Sequence, residues 1–170
     1  MQTSHESTLT LAPALRASQW FNTPAPLSLA DMRGRVVVLH SFQMLCPACV
    51  SHGLPQALKM HETFAASDVS VIGLHTVFEH HEAMTPTALK AFIHEYRLRF
   101  PIAVDEPDGR GGIPLTMQAY ELRGTPSVVL IDRAGHVRLS HFGRIDDMAL
   151  GALVGRMIED RCTDDGCVPG

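Results

Sequence analysis

The run Val36-Val37-Val38-Leu39-His40-Ser41-Phe42 constrains this chain more than any other stretch. Its β-branched and apolar residues follow one another without the alternation of a half-exposed strand, so the strand must be covered on both faces. Such cover comes from helices that cross over between parallel strands. Downstream, Val50, Leu54, Leu58, His61 and Phe64 recur at helical spacing, with Pro55 placed to bend that helix. Val69-Ser70-Val71-Ile72-Gly73-Leu74 reads as a second buried strand. Thr85-Pro86 opens a helix with an N-cap and a proline at the first helical position, and Leu89, Phe92, Ile93 and Tyr96 form its stripe. Pro101 to Asp105 is a short strand and Leu115 to Leu122 a helix; Ser127 to Ile131 is a strand, Asp132-Arg133-Ala134-Gly135 a hairpin turn and His136 to Phe142 its partner. Met148 to Ile158 closes the order β-α-β-α-β-α-β-β-α. The fold class expected is α/β, with a mixed central sheet and helices on both faces.

A length of 170 residues suits one domain. Residues 1–19, rich in Ser, Thr and Gln, read as an N-terminal arm with at most a short helix; residues 20–160 form the domain and 161–170 a cysteine-containing tail. Leu27-Ser28-Leu29 alternates like a short edge strand, and Arg33-Gly34-Arg35 is a turn. Fourteen basic against eighteen acidic residues give a formal charge of −4, which leaves no basic field for nucleic acid or anionic lipid. No stretch reaches the about 18 uninterrupted apolar residues of a membrane span. The Leu9–Leu15 run has no basic residue ahead of it and is interrupted by Pro13, unlike a secretory signal, so a cytoplasmic location is expected.

Four cysteines fall into two close pairs, Cys46-Pro47-Ala48-Cys49 and Cys162…Cys167. In a reducing compartment such pairs do chemistry or bind metal more often than they brace a fold. The first pair lies where the buried strand gives way to a helix. Unpaired N–H groups and the positive end of the macrodipole favour a thiolate there. Such positions bring a cysteine from about 8.5 to the range of about 3.5–7.5. Cys46 is therefore the candidate nucleophile, and Cys49, inside the first turn, the resolving partner. Pro47 suits the first helical position because it has no N–H to leave unpaired. Zinc would want a second C-x2-C or a histidine pair at matching spacing.

Val36–Ser41, the C-x-x-C at Cys46 and Cys49, and Gly124-Thr125-Pro126 together resemble the thioredoxin superfamily, and within it the TlpA-like thiol–disulfide oxidoreductases with redoxin (AhpC/TSA-like) domains. The lead-in Pro26-Leu27-Ser28-Leu29-Ala30-Asp31-Met32-Arg33-Gly34 adds to the likeness. It implies a thioredoxin-like fold, dithiol–disulfide exchange without an organic cofactor, and a cis Pro126 beside Cys46, with Thr125 offering its backbone to a substrate chain. Three positions depart from the pattern. Leu45 replaces the usual aromatic before the first cysteine, Pro55 falls one place later than expected, and His40 stands where a buried carboxylate or amide is common. His40 reads either as a core histidine bonded to backbone or as the proton acceptor for Cys49.

A peroxiredoxin-like peroxidase is the nearest enzyme alternative, but Leu39 and Gln43 stand where its Pro-x3-Thr-x2-Cys pattern needs proline and threonine. A non-enzymatic copper carrier is the other; His75, His80 and His81 follow the second strand, although copper carriers of this superfamily usually space their cysteines C-x3-C. No metal is expected. Cys162 and Cys167 read as two surface thiols on a mobile tail, or as a relay pair joined by the turn Asp164-Asp165-Gly166. The expected activity is disulfide exchange with a protein or low-molecular-weight thiol or disulfide, the peptide of a protein partner pairing beside Thr125-Pro126 as an added strand.

Overall fold

The computed structural model describes residues 9–163, 166–168 and 170. β2 (Val36–Phe42) is buried at all seven positions, as its unbroken apolar sequence requires. It pairs in parallel with β3 (Val69–His75) and antiparallel with β5 (Ser127–Ile131). β3 continues in parallel to β4 (Ile102–Asp105), and β5 pairs antiparallel with β6 (Val137–Phe142). With β1 (Ala17–Phe21) the sheet has the order β1-β4-β3-β2-β5-β6 and is mixed, as expected.

The alternation of side chains along β2 divides the core in two. Val36, Val38 and Phe42 face α1 (Leu54–Thr63), α2 (Pro86–Glu95) and α4 (Asp147–Glu159), whose Leu54, Leu89 and Leu150 are fully covered. Val37 and Leu39 face α3 (Leu115–Ala119), with Met117 and Tyr120, and a 3-10 turn that contributes Met32. Thr85 caps α2 through its side chain, which accepts from the Ala88 N–H, and Asp146 caps α4 by accepting from Met148 and Ala149.

Four local expectations are corrected. The end of the arm is a strand, not a helix: β1 lies antiparallel against β4, with a bulge between Ala17 and Gln19 that hides its alternation. Residues 10–12 touch the opposite edge, where Leu11 bridges to His136, so the described part of the arm crosses the second face of the sheet. Leu27–Leu29 is not an edge strand. Ser28 accepts from the Ala30 N–H and turns the chain into the 3-10 helix Ala30–Met32. The Leu115–Leu122 helix ends early, at Ala119.

The fourth correction concerns Pro55. The helix does not run as one kinked α-helix; a π turn over Cys49–Gly53 precedes α1, and the Leu54 N–H donates five residues back to the Cys49 carbonyl. A π turn holds one more residue than an α turn. That extra residue accounts for Pro55 standing one place late, and it lets proline enter α1 in its first turn, where its missing N–H costs little.

Residues 161–163 and 166–168 are not a free tail. β7 (Arg161–Thr163) and β8 (Gly166–Val168) form a two-stranded hairpin with Cys162 opposite Cys167. The two sulfurs are joined as a disulfide, with Cα atoms 3.9 Å apart. Residues 1–8 of the arm, and Asp164 and Asp165 of the expected turn, lie outside the described residues. Among the described residues no helix is long and apolar enough to cross a membrane.

Candidate active site

β2 delivers the chain to the sheet's edge at Phe42, and the helix that returns over the first face starts at Pro47. Cys46 is the last of the four residues between them. The Val50 N–H donates to its carbonyl at 3.1 Å, so Cys46 caps the helix. Its sulfur accepts from the Cys49 N–H at 3.2 Å, one of the orphan donors that a helix start offers to negative charge. Cys46 is half-buried between the exposed Leu45 and Pro47, while Cys49 is fully buried. Their sulfurs are close to disulfide distance and their Cα atoms 5.2 Å apart, so the pair can close a disulfide without rearrangement of the backbone.

The Thr125–Pro126 bond is cis, as the resemblance implies. Thr125 places its carbonyl oxygen 3.6 Å from the Cys46 sulfur, and Pro126 sits against the π turn. Gly53 makes this contact possible: a Cβ there would stand 3.2 Å from Cβ of Pro126 and 3.0 Å from Cε1 of His40. Beside the loop, a Cβ at Gly124 would come within 2.9 Å of the Phe142 ring, which is half exposed with the Arg123 guanidinium over it. Leu45 and Phe142 thus give the cysteine an apolar rim.

His40 lies on the helix-covered face of β2, beneath the turn that carries Cys49 and Gly53, and is 1% exposed. Across the sheet it meets only Gly73 and Val128. Its Nε2 is 3.5 Å from Oε1 of Gln56, and Nδ1 has no hydrogen-bond partner. Burial pulls it to about 4, an effect offset in part by Gln56 and reinforced by His52. Gln56 and its partner Asp147 carry no local sequence signal. They lie 16 and 107 positions from His40, and only packing of α1 and α4 on β2 joins them. The buried Gln43 accepts from the Phe78 N–H at 3.3 Å and pins the loop after β3 beside the site.

The histidine cluster is not one site. His75 is buried with neither ring nitrogen paired, its ring tilted at 49° to that of Phe42 with centroids 5.2 Å apart, while His80 and His81 are exposed. Among the described residues no group of three or more His, Cys, Asp or Glu is gathered to hold a metal. Burial alone lowers His75 to about 4. Both rings are neutral when folded but protonate near 6.5 when unfolded. Stability is therefore full above about pH 6.5 and falls as the pH drops toward 4, by up to about 3 kcal/mol for each ring. Asp105, raised by burial, works in the opposite direction. Urea midpoints measured at pH 7 and 4.5 are expected to show the loss, and a flat profile would contradict it.

The second disulfide is remote from the first. Arg138 donates to the Cys167 carbonyl at 3.0 Å and pairs with Asp132 and Asp160, so the hairpin docks beyond the C-terminal end of β5. The Cys46 site lies at the other end, and the five residues of β5 alone put about 15 Å between them. Exchange needs sulfur contact, so a relay within one molecule is excluded. Neither are these surface thiols: among the described residues no cysteine is free, and Cys167 is 2% exposed. Cys162→Ser is expected to leave stopped-flow turnover at Cys46 unchanged within about twofold; a tenfold loss would put the tail in the electron path.

The AhpC/TSA family matches the chain over residues 11–140. A thioredoxin-like superfamily protein of known crystal structure is 53% identical and superposes with a TM-score of 0.88, over 91% of this chain and 99% of that one. A thiol-disulfide isomerase from Corynebacterium glutamicum is 52% identical with a TM-score of 0.83, over 88% and 98%. Protein DipZ of Mycobacterium tuberculosis is 29% identical over 152 residues, which are 88% of this chain. The chain spans about a fifth of that relative's length, 21%.

Proposed function

We propose, for a chain that belongs to the AhpC/TSA family, that its activity is thiol–disulfide exchange at Cys46 and Cys49 on a disulfide-bearing protein or small thiol. The observation that carries this reading is the Cys46 sulfur at a helix start, accepting from the Cys49 N–H and facing the Thr125 carbonyl. In the reduced protein the Cys46 thiolate attacks a partner disulfide: one S–S bond forms to Cys46 and the partner's own breaks, releasing one thiolate. Cys49 then attacks the Cys46 sulfur, the internal disulfide forms, and the second partner thiolate leaves. His40 accepts the Cys49 proton in that step. It is neutral at physiological pH, and an imidazolium beside the thiolate that forms is a favourable pair at low dielectric.

A peptide partner enters beside Thr125 and Pro126 with its backbone extended, and the exposed Leu45, next to Cys46, and Phe142, against Gly124, give it apolar surface. Pro47, exposed at the first helical position, borders the same entry. The test is anaerobic incubation of reduced protein with a disulfide-bonded peptide, followed by alkylation and mass analysis. One peptide dithiol is expected for each Cys46–Cys49 disulfide; no exchange, with both cysteines still alkylated, would overturn the reading. The potential of the pair then gives the direction, near −270 mV for a reductant and near −120 mV for an oxidant.

A further inference from the structure

We infer that Gln56 and Asp147 are positioning residues that hold His40 as its Nε2–H tautomer and leave the Nδ1 lone pair open toward the cysteine-bearing turn. The inference rests on the proposed role of His40 and deepens it. It starts from the donor inventory of one buried amide. Gln56 is 2% exposed, and its Nε2 reaches two atoms, the Ile145 carbonyl at 2.9 Å and Oδ1 of Asp147 at 2.8 Å. A backbone carbonyl only accepts. The Asp147 carboxyl, held below the usual carboxylate range by Lys59 and by Gln56 itself, also only accepts at neutral pH.

Turning the amide over would set its oxygen against two acceptors, so the NH2 group must face them. The amide oxygen is thereby fixed toward His40 Nε2, and because it too only accepts, Nε2 must carry the ring's proton. Nδ1 is left with a lone pair and no partner. It lies on the side of the π turn, 3.6 Å from the point a Gly53 Cβ would occupy, and Cys49 is four residues back along the same turn. Four residues are close to one full turn of a π helix, so Cys49 lies on the same side of the turn as Gly53, the side that His40 meets.

The chain of contacts continues outward. Asp147 Oδ2 binds Lys59 at 2.7 Å, beside a polar cleft that Ser51, His52 and Arg144 also line. The Nε2 of His52 is turned away from His40, 2.9 Å from the Ile145 carbonyl. The groups bearing on His40 are Gln56 and His52 from the helix side and the backbone of Ser41 on its own strand, and its register partners on the neighbouring strands are the uncharged Gly73 and Val128; Lys59 and Asp147 act through Gln56. When Nδ1 takes the proton from Cys49, the Gln56 dipole lies between the new imidazolium and the Asp147 carboxylate and stabilises the charge. A base oriented by a third group works in the same way in nucleophile–histidine–carboxylate sites.

Nitrogen-15 spectra of the reduced protein read the tautomer directly, and Nε2–H is the form expected. The kinetic arm forms the mixed disulfide of Cys46 with glutathione and follows glutathione release. Gln56→Leu and Asp147→Ala are expected to slow release about tenfold, to populate the other tautomer, and to leave the rate of Cys46 alkylation as it was. Asp147→Ala decides where Gln56→Leu does not fold, because Asp147 is at the surface. Nδ1–H in the unmodified protein, or both variants keeping tautomer and rate, would overturn the inference. His40→Ala separates the two readings. If it releases glutathione at the normal rate, the role of His40 itself fails; if it is slow while the Gln56 and Asp147 variants are normal, only this inference fails.

Discussion

Cys46→Ser is expected to abolish disulfide exchange, whereas Cys49→Ser is expected to attack normally and then stall as a mixed disulfide with the partner. The asymmetry follows from where the helix begins. Cys46 is half-exposed, caps the helix and receives an N–H from its first turn, so its thiolate is stabilised. Each unit by which its pKa falls favours the thiolate by about 1.4 kcal/mol, and one helix end contributes a unit or so. Cys49 is within the turn and fully buried, where a partner sulfur has no approach and a lone thiolate is disfavoured. The target within its reach is the sulfur of Cys46, the arrangement the proposed resolving role requires. Incubation of each variant with the disulfide peptide, analysed without reductant, distinguishes them. A covalent adduct on Cys46→Ser, or none on Cys49→Ser, would reverse the assignment.

His40→Ala is expected to leave that first attack nearly unchanged and to slow resolution by about a hundredfold, the lower range for a positioned general base. Cys46 does not need the imidazole, because the helix start already favours its thiolate. Cys49 does, because it is covered and must lose a proton as it attacks. Burial that brings His40 to about 4 keeps it in its accepting form across the physiological range, so resolution in the unmodified protein should stay level between pH 6 and 8, whereas in the variant it should rise with pH as Cys49 loses its proton to solvent instead. Stopped-flow release from the mixed disulfide checks this. Equal rates in His40→Ala and the unmodified protein would leave His40 a core residue only.

The covered strand, the crossovers and the position of the reactive pair were legible in the sequence because each is local. Val36–Phe42 has one way to be buried, and a C-x-x-C following it has one place to sit. Thr85 and Pro86 likewise announced α2 through side-chain chemistry within three residues. What stayed hidden depends on packing between distant segments. The alternation of β1 is broken by a bulge and two of its five residues are exposed, so its polar sequence resembles an arm. The π turn shows in the sequence only as the late Pro55. Gln56 reads as an ordinary helix residue until α4 brings Asp147 and the Ile145 carbonyl against it. His75 reads with His80 and His81, but the last register position of β3 turns it into the core.

The most direct test of the central claim is rapid alkylation of the reduced, folded protein across pH 5 to 9, with the label located by peptide mass analysis. The expected result is label on Cys46 first, with a titration midpoint below the about 8.5 of a free thiol, and Cys49 modified only slowly. Faster labelling of Cys49 than of Cys46 would contradict it.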